Sequence, residues 1–206
     1  MNEQQHLDTL TDIKRIMERS TRFMSLSGLG GVGAGVSALV GAYFAWDLLS
    51  AAPEGYQRTS EAVLVFRLLL IAGAVLVAAL GAGFYFTWRK AQRQGLPMWD
   101  AAARKVFINL AIPLIAGGLF ILGLLEHGYL GLVAPACLVF YGLALVNAGK
   151  YTLTDIRYLG YAEIILGIIA LFNLYHGLLF WALGFGVLHI LYGTIMWWKY
   201  ERSPAE

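Results

Sequence analysis

Charge, cysteine and proline are all scarce in this chain. Only 14% of its 206 residues are charged, against roughly 25% in an average soluble domain, which argues against a water-soluble globule. A single cysteine, Cys137, excludes a disulfide scaffold within the chain. No run of like charges forms an acidic or basic tail, and the formal net charge of +2 gives no reason to expect a nucleic-acid partner. Of the five prolines, Pro113 and Pro135 fall inside apolar runs. A proline there can kink a helix, and broken helices occur at transporter binding sites.

What is abundant is apolar surface: 59% of the residues are hydrophobic and 24 are glycine. The few charges are segregated. Between Val106 and Gly149 the only charged residue is Glu126, and between Ile164 and Trp198 there is none. A bilayer core about 30 Å thick is crossed by about 20 apolar residues in a helix. Backbone facing lipid must satisfy its own hydrogen bonds, so helices are expected throughout. The apolar runs predict six spans, at about 23–47, 64–88, 104–125, 130–149, 156–173 and 178–198. The fifth is short, which leaves five spans as the alternative. Glu126-His127-Gly128 and the 173–177 segment read as tight turns between antiparallel helices.

The predicted fold class is therefore an all-α polytopic membrane protein in three parts. These are an amphipathic helix at 1–22, a six-helix domain at 23–200 and a short tail at 201–206. Thirteen of the fifteen Lys and Arg residues fall on one side of this arrangement, and Arg58 and Arg67 fall on the other. Positive-inside bias then puts both termini in the cytoplasm, and Trp46, Trp88, Trp99, Trp197 and Trp198 near the span ends suit aromatic belts. The start, Met-Asn-Glu-Gln-Gln-His, lacks the n- and h-regions of a cleavable signal. Leu7, Leu10, Ile13 and Met17 recur at helical spacing, and this surface helix is expected to lead directly into the first span. It would lie on the membrane surface or dock onto a partner or a second copy.

Several motifs fail on context. Gly28-Leu29-Gly30-Gly31-Val32-Gly33 matches G-x-G-x-x-G, yet no strand precedes it and an apolar helix follows. Ser27, Gly31 and Gly35 instead repeat every fourth residue, as do Gly33, Ser37 and Gly41. Small residues at this spacing let helix backbones approach closely, within the chain or in a homodimer. Asn147-Ala148-Gly149-Lys150 lacks the first glycine and the hydroxyl residue of a P-loop. Thr152 and Asp155 have the spacing of a capping box opening the fifth span, and Asp47 and Arg67 are placed to pair near the outer ends of spans 1 and 2. His6, His127, His176 and His189 form no metal-binding motif; two turn histidines are too few for a zinc site, and His189 has no mate for bis-histidine haem. No cofactor or metal is expected.

The informative residues are the ionisable ones inside the last two spans. Glu163 lies roughly 10 Å into its span and His189 roughly 15 Å from the same side. Their surroundings match as well: Gly160-x-x-Glu163-x-x-x-Gly167 in one helix, Gly186-x-x-His189-x-x-x-Gly193 in the next. Positions i−3 and i+4 share a helix face, so each polar group sits on a groove cut by two glycines, and the short connection makes the helices neighbours. Intramembrane ionisable residues face a bundle interior, a partner or a water-filled cavity. Both groups can take up and release a proton, which suits a coupled carrier; the alternative is a bonded pair that locks the bundle. Asn147, Tyr158 and Tyr192 are candidates to extend a polar path.

The runs Met17–Gly28 and Asp155–Glu163 resemble a group of uncharacterised small bacterial membrane proteins. That resemblance implies a six-span inner-membrane protein and no particular activity. Two functions follow as expectations. One is a small carrier or channel for a proton, ion or small solute, with Glu163 and His189 in the path. The other is a non-catalytic scaffold, sensor or accessory subunit that engages a protein partner through the N-terminal helix and the basic 89–105 loop. An enzyme is the least supported class, since no nucleophile–base pairing is legible, although Cys137 and His189 are not excluded by geometry.

Overall fold

The computed structural model describes residues 23–51, 58–95 and 97–202. Among these, 86% are helical and none forms a strand. The described residues form six successive helices: α1 Gly28–Ser50, α2 Arg58–Gln94, α3 Ala101–Glu126, α4 Val133–Ala148, α5 Thr154–Leu171, and α6 over 177–200. Single 3-10 turns, Leu130–Leu132 and Leu174–His176, precede α4 and α6. The last helix has three consecutive segments, α-helical Gly177–Trp181, a π-helical stretch Ala182–Leu188, and α-helical His189–Tyr200.

Turn chemistry explains where α2 and α3 stop. Gly95 and Gly128 have φ of 61° and 76°, a left-handed conformation that glycine adopts without strain. At the second of these, the Gly128 and Tyr129 amides reach back to the Leu125 and Leu124 carbonyls. The helix α3 begins at Asp100, whose carboxylate accepts the Ala103 amide at 2.6 Å.

Helix α1 is held between α2 and α6, α4 lies between α3 and α5, and α6 packs on both α4 and α5. Glycine decides how closely these pairs approach. A methyl group on Gly35 would lie 2.6 Å from the Gly186 carbonyl oxygen, and one on Gly31 would lie 3.2 Å from the Gly193 Cα. The neighbouring stripe faces α2, where a methyl group on Gly33 would meet Ala82 at 2.8 Å. Gly142 and Gly160 oppose each other in the same way across α4 and α5, and Gly167 abuts Leu138 and Val139. Gly31 and Gly35 on one face of α1, and Gly33 and Gly41 on the other, are therefore packed against helices of the same chain.

Among the described residues, five helices are long and apolar enough to cross a membrane: α1, α2, α3, α4 with its 3-10 turn, and α6 with its own. The exception is α5, which carries Asp155, Arg157 and Glu163 in 18 residues. Apolar side chains cover the outside of the bundle. None of the most apolar stretch of α2 is buried, and Val77 and Phe84 are 71% and 66% exposed.

Several expectations are corrected. The amphipathic helix at 1–22 lies outside the described residues, but residues 23–27 are not helical, so no helix runs directly into α1. Phe23 instead packs on Ala102 and Ala103, its amide bonded to the Tyr151 carbonyl at 2.8 Å. Thr152 forms no capping box: its hydroxyl donates to the Phe23 carbonyl at 2.7 Å, and Asp155 binds α6. Pro135 sits in the first turn of α4, where an amide lacks a helical partner anyway, so only Pro113 interrupts a helix interior. Asp47 and Arg67 are both exposed and do not pair with each other.

Candidate functional site

Midway along α5 and α6 two ionisable side chains meet in the packed interior. Glu163 is 0% exposed and His189 is 6% exposed, and the Glu163 Oε1 lies 3.4 Å from the His189 Nδ1. The third member comes from α4, where the Tyr141 hydroxyl lies 2.7 Å from the His189 Nε2. Phe185 stacks against the imidazole and also contacts Tyr141. Three helices thus converge on one imidazole.

The backbone around this point is shaped for it. The His189 Nδ1 lies 3.0 Å from the Gly184 carbonyl oxygen, across the π-helical stretch of α6. Such stretches are rare and recur at functional sites. A carbonyl can only accept, so Nδ1 carries the hydrogen and Nε2 is left to accept from the Tyr141 hydroxyl in the neutral ring. Gly184 also makes room for the acid, because a methyl group there would lie 2.5 Å from the Glu163 Oε2. Both Glu163 oxygens are nevertheless without a hydrogen bond. The Nδ1 hydrogen points to Gly184, so the 3.4 Å approach to Glu163 is a close contact and not an aligned hydrogen bond.

The other residues proposed for a polar path lie elsewhere. The Asn147 amide donates to the Asn109 carbonyl at 3.1 Å, and its oxygen accepts from Lys150 at 3.0 Å. Tyr158 is exposed and makes an edge contact with Tyr161. Tyr192 packs on the cluster of Leu145, Leu153, Ile156, Leu159 and Met196. Sequence reasoning brought Glu163 and His189 together but missed Tyr141 and Gly184. The one available signal for Gly184 was its place in Gly184-Phe185-Gly186, just ahead of His189.

A second polar cluster was not anticipated. At the basic end of the bundle, Glu201 accepts the Gly28 amide at 2.6 Å and the Ser27 hydroxyl at 3.1 Å, and so caps α1 from the far end of the chain. Lys90, 6% exposed, lies 3.8 Å from the same carboxylate and donates to the Leu26 carbonyl at 2.7 Å. A cavity of about 170 Å³ adjoins them, with Arg89 and Arg93 at its wall. Nearby, Asp155 accepts from Tyr200 at 2.6 Å and from Lys199 at 3.1 Å, tying α5 to the end of α6. Burial disfavours its ionised form, but the bonds from Tyr200 and Lys199 and the Lys199 charge outweigh this and hold the carboxyl below its ordinary range.

No protein-family model matches the chain, and comparison with curated proteins and with solved structures gives no match either.

Proposed function

We propose that this chain is a multi-pass protein of the bacterial inner (cytoplasmic) membrane, with both termini inside, that works as a small proton- or cation-coupled carrier through Glu163 and His189. The bilayer reading is supported by five spanning-length apolar helices and by the apolar side chains on the outside of the bundle. The carrier reading rests on one observation: a fully buried carboxyl in mid-bundle whose two oxygens accept no hydrogen bond. A purely structural acid is expected to be fully paired, because an unsatisfied buried polar group costs about 1–3 kcal/mol and a charged one more. An unpaired group of this kind calls for an exchangeable occupant or a functional strain.

The closure of the site favours a second reading, in which the Tyr141–His189–Glu163 group locks three helices of a scaffold together. Reconstitution into liposomes separates the two. The carrier reading expects proton or cation flux that is lost in folded Glu163→Gln, and the scaffold reading expects no flux from either protein.

A further inference from the structure

We infer that the occupant of the Glu163 site is a single proton shared with His189, and that the site is not built for a metal cation. This names the coupling species of the proposed carrier and rests on that reading for its role. The hydrogen bonds of the ring define its two states. Nδ1 is committed to the Gly184 carbonyl, which can only accept, and Nε2 is within 2.7 Å of the Tyr141 hydroxyl. Nε2 either accepts the phenol hydrogen, in a neutral ring, or donates its own hydrogen to the phenol oxygen, in a charged one. The two states differ by one proton.

Each ring state dictates the state of Glu163. Beside a neutral ring, a Glu163 carboxylate would be a fully buried charge without a hydrogen bond or a counter-ion, so the acid itself must hold the proton. Beside a charged ring, the carboxylate is balanced by the imidazolium at 3.4 Å. In both states the pair is neutral overall. The two states hold the same single proton, which leaves to water from the Glu163 oxygen in one and from the Nε2 nitrogen in the other. Release leaves the carboxylate beside a neutral ring, a state the pair reaches only when water enters the site, and a pH midpoint reads that release. The titratable groups that meet here are Glu163 from α5, Tyr141 from α4 and His189 from α6. Arg157 and Asp155 lie roughly two turns of α5 away, and Cys137 lies about one turn from Tyr141 on α4.

A hard cation finds too few ligands at this point. Calcium and magnesium take about six or more oxygens at roughly 2.0–2.6 Å. The Gly184 carbonyl is engaged by Nδ1 and the Tyr141 oxygen by Nε2, which leaves the two oxygens of Glu163. Among the described residues, no group of three or more His, Cys, Asp and Glu side chains is placed to hold a metal ion.

Infrared difference spectroscopy of the full-length protein in lipid tests this, with pH, sodium chloride and N-methylglucamine chloride as the probes. The expected result is a protonated-carboxyl band that shifts in heavy water, disappears in Glu163→Gln, and has the same pH midpoint in sodium as in N-methylglucamine. Should the glutamine variant not fold, Glu163→Asp carries the assignment by moving the band. A midpoint that falls as sodium rises would overturn the inference, and so would the absence of any band assignable to Glu163 at every pH. Flux measured on the same preparation separates the two levels. A sodium-insensitive band without flux leaves the proton in place and removes the carrier, whereas sodium-dependent flux with a sodium-sensitive band keeps the carrier and removes the proton.

Discussion

The close backbone approach of α4 and α5 makes a quantitative prediction. A methyl group on Gly160 would lie 2.8 Å from the Gly142 carbonyl oxygen and 2.9 Å from the Val146 backbone nitrogen. Both are main-chain atoms, so no rotamer change relieves the clash, and α4 and α5 must separate. Overpacking of this kind costs about 1–3 kcal/mol. Alanine also removes about 1 kcal/mol of glycine's helix penalty, which leaves a net loss of up to about 2 kcal/mol in Gly160→Ala. At roughly 2–4 °C per kcal/mol for a chain of this size, the melting temperature should fall by up to roughly 8 °C. The internal control is Gly118→Ala on α3, where a methyl group meets nothing within 4 Å. That variant keeps the helix-propensity gain without the clash, so it should be unchanged or slightly more stable. Thermal unfolding in one detergent, followed by tryptophan fluorescence, compares the two. Equal melting temperatures would refute the close α4–α5 crossing.

Other perturbations test the sites. Gly184→Ala places a methyl group against the Glu163 carboxyl, and its expected effects are a carboxyl band shifted from the wild type and a lower melting temperature; an unchanged band would contradict the geometry. Glu201→Ala uncaps α1 and leaves the buried Lys90 ammonium with only the Leu26 carbonyl. A loss of about 1–3 kcal/mol is expected in denaturation measurements, and wild-type stability would show that the end of the chain does not hold α1. Asp155 has a folded-state pKa below its ordinary value of 3.8. Its contribution is therefore present above pH 3.8 and is lost as the pH falls below it, through the folded value. Melting temperatures across that acid range should decline less steeply in Asp155→Asn than in the wild type, and parallel declines would remove Asp155 as the cause.

The helices were legible because a membrane-like interior leaves hydropathy to mark them. Their ends were less so, since hydropathy stops at a charge while the backbone continues. Thus α2 runs through Arg89, Lys90 and Arg93 to Gln94, beyond the predicted end at 88. At the other end of the scale, Phe23, Met24 and Leu26 read as the start of a span because they are apolar. They pack that surface on the bundle's apolar clusters from a non-helical segment, a use that hydropathy cannot distinguish from a helix.

Within the candidate site, Glu163 and His189 were recognisable because each breaks an apolar run at matching depth. Their flanking glycines were read correctly as grooves, but the structure gives those grooves different neighbours. Gly160 and Gly167 receive α4, and Gly186 and Gly193 receive α1. Tyr141 was hidden because α4 is apolar on all sides, so no pattern says which face turns inward. Glu201 was hidden for another reason: its hydrogen-bond partners Ser27 and Gly28 lie more than 170 residues away in sequence, and a lone acid in a tail carries no signal of folding back.

The central claim is that Glu163 takes up and releases the coupling ion. Its most direct test is proton flux in proteoliposomes under an imposed pH gradient, for wild type, Glu163→Gln and Gly118→Ala at equal protein incorporation. The carrier account predicts flux in the wild type and Gly118→Ala and background leakage in Glu163→Gln. Equal flux through all three would contradict it.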